Sequence, residues 1–585
     1  MTSHLHVQLI ADYLSKREIH HVVISPGSRS APFVIALNEY PRIRKYAIAD
    51  ERVAGYFALG IAQQVREPVV VICTSGTAVL NLAPAVCEAF YQALPLIAIT
   101  ADRPQDCINN GENQTIFQRE VFKNFVERSL VFEPIQSLHE FTRLLPDMDE
   151  CIQERNAQPP GPSHWNVHIP EPLYERAGEE IPFYELPQTE RSSPTSEFET
   201  DEAALDFLSR IGLDLDKIFT NQLYSEWQQA KKIMIVSGYE YYSPNELFLL
   251  KEILTRQQVV CLSEHASNIP FHHSAHYHTD AMLSLIPPQH ENKFAPDVVI
   301  TIGRQILSKK LKQFLRKNKP QYYFHLSPHG DVWNQFFVTD ESFGFAIESY
   351  ESFFSGLPFA AYADADFKMR WESLRRKAHE LTEHFCQKIP FSDLKVYKTI
   401  LTHLPQGTNL QLGNSTPVRY AQFFPLPPHT RVNANRGTSG IDGCLSTAAG
   451  AAAVNQRLTV SIVGDISFFY DSNALWNRYL SPQLRIILIN NGGGNIFRLI
   501  EGPDTVKGFE DFFETRHQLS AKYLAEMFDL PYYFCKTHKQ LEEVLPDFFR
   551  PQKKASILEI KTNNLSSAAV YRQYFAFLKQ QNPQA

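Results

Sequence analysis

The sequence predicts an α/β protein of three domains, each built on a parallel sheet flanked by helices. Short apolar strands alternate with helices over most of the chain, the pattern of a parallel sheet covered on both faces. A proline-dense stretch and a charged helical stretch interrupt that alternation. The 585 residues, 44% of them hydrophobic, suffice for several cores at roughly 100–200 residues each.

The elements follow in order. His21–Ser25 is an apolar strand stopped by Pro26-Gly27, and a helix starts near Ser30. Lys45–Ala49, Pro68–Thr74 and Leu96–Thr100 read as strands, with Glu51–Gln64 and Thr77–Gln92 as the helices between them. This first domain is placed at residues 1–180. Proline is dense from Pro159 to Pro194, and Ile181–Asp201 reads as a linker. A middle domain over 201–355 has strands at Lys232–Ser237, Val259–Leu262, Asp297–Ile302 and Tyr322–Leu326. The charged segment Asp364–Cys386 is helical in pattern and forms the second connection. A third domain, 391–585, has strands at Asn409–Leu412, Arg431–Asn433, Thr459–Val463, Arg485–Asn490 and Ser556–Ile560. Its Gly/Ala-rich helix at Gly440–Val454 parallels Glu51–Gln64, which suggests two related domains around a different middle one.

Composition excludes several classes. The net charge is −8 without long basic runs, which argues against nucleic acid as a partner. No run approaches the roughly 18 apolar residues of a membrane span, so no stable membrane insertion is expected. The N-terminus lacks a basic region followed by an apolar one, so no signal peptide is expected. Eight scattered cysteines without a CxxC pair fit reduced thiols in a cytoplasmic protein.

The chemistry concentrates at Gly464-Asp465 and Asn490-Asn491. With a helix near Asp471–Leu480 and a strand at Leu484–Asn490 between them, the two form one βαβ unit, so Asp465 and Asn491 leave neighbouring strands at the carboxyl edge where ligands bind. A carboxylate, an amide oxygen, a backbone carbonyl at Gly493, diphosphate oxygens and water make an oxygen shell for Mg²⁺ or Mn²⁺. Ser467 opens the next helix, where hydroxyl and N–H groups suit phosphate. The bland alternative is a helix-capping Asp and an Asn pair in a turn; the joint spacing favours the ligand site.

This pattern resembles the thiamine-diphosphate (ThDP) signature, GDG followed by NN, with Ile466 in place of the second Gly. The resemblance sharpens in SPGSRSAP (25–32), DERVAGYFALGIA (50–62), CTSGTAVLNLAPAVCEA (73–89), PLIAITADRP (95–104), NQTI (113–116), GNSTPVRY (413–420), NRGTSGIDGCLSTAAG (435–450), GDIS (464–467) and NNGGGNIF (490–497). Together these stretches resemble the 2-succinyl-5-enolpyruvyl-6-hydroxy-3-cyclohexene-1-carboxylate (SEPHCHC) synthases of menaquinone biosynthesis, in all three domains. The resemblance implies ThDP and Mg²⁺ or Mn²⁺ as cofactors. It makes Glu51, otherwise an acidic residue at a helix N-terminus, the cofactor-activating carboxylate, and Ile441 the wedge under the bent cofactor.

It further implies decarboxylation of 2-oxoglutarate and 1,4-addition of the four-carbon unit to isochorismate. Each substrate brings two carboxylates, which guanidinium groups bind bidentately. Arg29, Arg103, Arg419 and Arg436 lie in matched loops and are carried over as substrate contacts, with Ser28, Asn113 and Gln114. Ser415 is carried over near diphosphate and substrate, and Ile496 and Phe497 as apolar walls. Lys309-Lys310 matches a Lys-Arg pair, with a point charge in place of a planar fork at the second position. Active sites are implied between subunits of a homodimer or homotetramer. Another ThDP-dependent 2-oxoacid decarboxylase or an acetolactate synthase-like carboligase would leave the arginine loops unexplained. A nucleotide-binding scaffold would call for the absent GxGxxG. His272, His273, His276 and His278 are loosely spaced and read as an ordinary loop.

Overall fold

Three six-stranded sheets, parallel throughout, organise the chain. The computed structural model describes residues 2–152, 161–174, 181–187, 215–270, 275–327, 335–336, 342–347, 349–500 and 502–581. The first sheet holds β1 (His21–Ile24), β2 (Arg44–Ala47), β3 (Val69–Cys73), β4 (Leu96–Asp102), β5 (Arg128–Phe132) and β6 (Ser163–His168), in the order β2-β1-β3-β4-β6-β5. The middle sheet holds β7 (Ile233–Ser237), β8 (Val259–Ser263), β9 (Ala275–His276), β10 (Val298–Ile302), β11 (Tyr322–Ser327) and β12 (Ser342–Ala346). The third holds β13 (Asn409–Leu412), β14 (Arg431–Asn433), β15 (Thr459–Gly464), β16 (Leu484–Asn490), β17 (Tyr532–Cys535) and β18 (Ser556–Lys561).

The third sheet runs β14-β13-β15-β16-β18-β17, the same connectivity as the first. The middle sheet runs β12-β11-β10-β7-β8-β9, the doubly wound order in which the chain reverses direction between its first and fourth strands. Two alike sheets thus flank a different one, as the two glycine- and alanine-rich helices suggest. Those helices, Glu51–Val65 and Cys444–Val454, cross each other at backbone contact. A Cβ on Gly60 would lie 2.0 Å from the Thr447 carbonyl oxygen, and one on Gly450 would lie 2.0 Å from that of Phe57. The absence of side chains there lets the helix that starts at Glu51 dock on the third sheet's layer.

The expected strands all form, and β5, β6, β9, β12 and β17 join them. Strand β6 escapes an apolar pattern because one of its two buried faces is polar and internally paired. Thr100 bonds His164 and Asn166 at 2.8 Å each, and Asn166 donates to Asp102 at 2.9 Å. The helix expected near Asp471–Leu480 is instead Asp465–Tyr470 followed by a 3₁₀ turn, Ser472–Leu475. Asp471 breaks it: the buried carboxylate turns away to accept from the N–H and hydroxyl of Ser446, 2.7 Å each. The helix expected from Gly440 starts at Cys444, because Gly443 has φ +112°.

Residues 181–187 lack regular structure but pack on the first helix, with Leu186 N–H donating to Asp12 at 2.6 Å; the rest of Ile181–Asp201 lies outside the described residues. The second connection is the helix Ala365–Lys388. It buries Trp371, Ala378 and Cys386, and Thr382 pairs with Tyr574 at 2.7 Å. All eight cysteines are unpaired, six of them buried. Among the described residues no helix is long and apolar enough to cross a membrane.

Candidate active site

The third sheet gathers the site at its carboxyl edge. Strands β15 and β16 pair in register from Thr459↔Leu484 to Gly464↔Ile489, so Asp465 and Asn491 emerge side by side. Asp465 is buried; its Oδ2 accepts from Gly492 N–H at 2.7 Å and Gly493 N–H at 3.0 Å. Gly492, at φ +90°, supplies the bend that this approach requires. His517 Nε2 stands 3.3 Å from the same oxygen. The Asn491 amide donates to Asp393 at 3.0 Å, and its Oδ1 is buried without a hydrogen-bond partner. Ser467 is also buried, and its hydroxyl donates to the Ile441 carbonyl at 2.7 Å. That proton is committed to fastening the turn to the expected wedge residue, so an anion here meets backbone N–H groups before the hydroxyl.

Strands β13 and β14 deliver the neighbouring loops. Ser415 holds φ +74°, a strained conformation for a side-chain-bearing residue, and its carbonyl accepts from the Arg419 guanidinium. Arg436 donates to Asn414 Oδ1 at 3.0 Å, while Asn414 Nδ2 donates to the carbonyls of Asn435 and Gly440 at 2.6 Å each. Burial lowers the pKa of both Arg419 and Arg436. Neither forms an ion pair among the described residues, although Glu264 acts on both at longer range, with Asp280 on Arg419 and Glu88 on Arg436.

A cavity of about 180 Å³ opens between this loop cluster and the middle sheet. Lys309, Lys310, Arg419 and Ile496 line it, together with Asp280 and Tyr571. Lys309 is exposed. Lys310 is turned aside: its Nζ donates to Ser284 at 2.8 Å and sits 4.0 Å from the Phe575 ring centre. Phe497 packs edge-on to Phe513, with centroids 5.7 Å apart.

The remaining expected residues sit at the carboxyl edge of the first sheet. Arg29 is buried and donates to the Ile169 carbonyl at 2.7 Å and to Glu171 at 2.9 Å. Arg103 follows β4, with its N–H on Asp102 at 2.8 Å. Ser28, Asn113 and Gln114 are exposed, and Glu51 is half-buried at the start of its helix. Among the described residues no hydrogen bond or ion pair joins this first-sheet group to the Asp465 and Arg419 groups of the same chain. His272 and His273 lie outside the described residues. His276 falls in β9, not in a loop, and burial pushes it down to about 3; His278 is buried too.

Comparison with known proteins assigns the two similar sheets. Residues 6–124 match the thiamine pyrophosphate enzyme N-terminal TPP binding domain, and residues 413–560 match its C-terminal TPP binding domain. Proteins named 2-succinyl-5-enolpyruvyl-6-hydroxy-3-cyclohexene-1-carboxylate synthase match over nearly the whole chain. That of Flavobacterium psychrophilum is 37% identical over 97% of this chain and 98% of its own. Those of Flavobacterium johnsoniae and Christiangramia forsetii are each 35% identical, covering 97% and 96% of this chain and 98% and 97% of theirs. The chain belongs to the SEPHCHC synthase family.

This member of the SEPHCHC synthase family uses buried carboxylates that its sequence does not advertise. Glu88 is wholly buried and accepts from the N–H groups of Gly437 and Thr438 at 2.6 and 2.7 Å, gripping the loop of Arg436. Glu264 accepts from the N–H groups of Leu307 and Ser308, at the start of the Lys309 helix. Asp280 takes the Ser308 hydroxyl on the cavity wall. Burial raises the pKa of both Glu264 and Asp280. Only their partners, far away in sequence, distinguish these residues from surface acids.

Proposed function

We propose that this synthase decarboxylates 2-oxoglutarate and adds the four-carbon unit to isochorismate, giving SEPHCHC for menaquinone biosynthesis in the cytoplasm. The observation that carries the reading is the pair of buried arginines, Arg419 and Arg436, on neighbouring segments of the third sheet's carboxyl edge. Two desolvated guanidiniums that form no ion pair among the described residues suit dicarboxylate substrates, beside an edge suited to a diphosphate. An enzyme for pyruvate alone has no need of them.

The residues present fit ThDP and a divalent cation, Mg²⁺ or Mn²⁺. Asp465, the unpartnered Asn491 oxygen and the Gly493 carbonyl offer hard oxygen ligands, and a buried amide oxygen without a partner is costly unless something binds it. Ser415 and Ser467 would flank the diphosphate, and Ile441 and Ile496 the rings. Bound ThDP supplies the carbanion chemistry that removes CO₂ and forms the new carbon–carbon bond. Glu51 would hold a proton against the aminopyrimidine ring of bound ThDP. Ser28, Arg29, Arg103, Asn113, Gln114, Lys309, Arg419 and Arg436 orient and neutralise the substrates, with Phe497 as an apolar wall. Lys310 lines the same cavity and is kept as a substrate contact, its Nζ resting on Ser284 and Phe575. The domains are taken at 1–180, 201–355 and 391–585.

Glu51 and Asp465 are assigned to one active site formed by two subunits of a homodimer or homotetramer. Within one chain, Asp50 and Arg52 reach Asn473 and Asp471, but among the described residues no hydrogen bond or ion pair joins Glu51 itself to Asp465, which is consistent with this reading. Mixing Glu51→Gln with Asp465→Asn subunits tests it. Each variant alone should be inactive, and a 1:1 mixture after subunit exchange should recover roughly a quarter of parental CO₂ release from 2-oxoglutarate, because about half of the dimers are mixed and each mixed dimer forms one intact site of two. No recovery on verified subunit exchange would place both residues in one chain's site.

A further inference from the structure

Asp393 starts the helix Asp393–His403 and is wholly buried. Its Oδ2 accepts from Asn491 Nδ2 at 3.0 Å and Asn495 Nδ2 at 3.3 Å. Its Oδ1 accepts from the hydroxyls of Thr562 at 2.6 Å and Ser567 at 2.9 Å. A carboxylate ringed by four donors can only accept, so both amides must present their NH₂ groups to it and turn their oxygens away. The result is visible on the far side. Asn491 Oδ1 and Asn495 Oδ1 are both buried without a hydrogen-bond partner, in side chains only 8% and 3% exposed. Both belong to the loop whose Gly492 and Gly493 N–H groups bind Asp465, an edge where a cation and its bound water would satisfy them.

We propose that Asp393 is a positioning residue that locks the Asn491 amide with its oxygen toward the divalent cation, and the Asn495 amide with its oxygen toward a water on that cation. The inference rests on the cation site proposed above. It makes the linkage between middle and third sheets part of the cofactor site, because Asp393 lies just past the helix that joins them.

The polarity of the clamp gives a decisive test. In Asp393→Asn the new amide can still accept from Thr562 and Ser567. It then offers NH₂ to Asn491, which re-pairs by turning its oxygen inward. The fold survives and the cation loses a ligand. In Asp393→Asn/Asn491→Asp the acid and amide trade places with no change in charge, and the carboxylate at 491 accepts from the new amide with one oxygen and binds the cation with the other. Mn²⁺ titrations followed by electron paramagnetic resonance, on full-length protein with ThDP present, read the effect. The single variant should bind Mn²⁺ at least about tenfold more weakly, the scale of lost support behind a metal ligand, with an unchanged circular dichroism spectrum. The exchanged pair should return to within about threefold of the parent. Parental affinity in the single variant, or no recovery in the exchanged pair, overturns the proposal. If the single variant does not fold, the exchanged pair decides alone, tight binding supporting the proposal and weak binding overturning it. A parent that binds no Mn²⁺ sinks the cation site itself and the proposal with it.

Discussion

The Gly437 N–H donates to Glu88 Oε1 at 2.6 Å, across 349 residues of sequence. The bond joins the helix Thr77–Gln92 of the first sheet to the loop that carries Arg436. Thr438 adds its N–H at 2.7 Å and its hydroxyl to the other oxygen. One buried carboxylate thereby sets the position of a guanidinium it never touches.

Glu88→Gln should expose this coupling. The amide cannot accept at both ends, so one buried N–H is left unpaired, at a cost of about 1–3 kcal/mol. Arg436 should lose registry, raising the KM for the dicarboxylate substrates several-fold more than it lowers kcat. Steady-state kinetics and thermal melts check both effects; equal KM values in variant and parent would detach Glu88 from substrate binding.

The Gly60 crossing makes a second prediction. Gly60→Ala places a methyl group 2.0 Å from the backbone oxygen of Thr447, which only separation of the two helices can relieve. Overpacking of this kind costs roughly 1–3 kcal/mol and more where backbone blocks relaxation. Denaturant unfolding should show a loss at the upper end of that range, with weaker ThDP binding because the helix of Glu51 shifts.

Asp471 gives a pH dependence. Burial pushes its carboxyl up to about 6, against partial relief from Ser446 and Arg52. A group whose folded pKa lies above its unfolded value near 4 stabilises fully below that value, and the contribution disappears as pH rises through about 6. Asp471→Asn removes the titration. Relative to the parent, the variant should gain about 2–3 kcal/mol in unfolding free energy between pH 4 and pH 7.5. A difference independent of pH would show that Asp471 is ionised throughout.

The sheets and the carboxyl-edge residues were legible because they depend on local pattern. Apolar strands announce themselves, and Asp465 and Asn491 follow directly after two of them. Strand β6 was not legible, since Ser163–His168 satisfies its polar side chains through partners on β4. The break at Asp471 was hidden for the same reason, its partner being Ser446. Glu88, Asp393, Glu264 and Asp280 are ordinary acids in sequence, and their roles arise only where distant segments meet. Lys310 combines both kinds of signal, a motif position and a place on the cavity wall. Its motif position suggests a substrate contact, and its surroundings hold it on Ser284 and Phe575.

The most direct test of the account is the product formed from 2-oxoglutarate, isochorismate, ThDP and Mg²⁺, read by mass spectrometry and NMR. SEPHCHC should form with one CO₂ released per product, and pyruvate supplied alone should not turn over. Acetolactate from pyruvate, or release of CO₂ from 2-oxoglutarate without transfer to isochorismate, would contradict it.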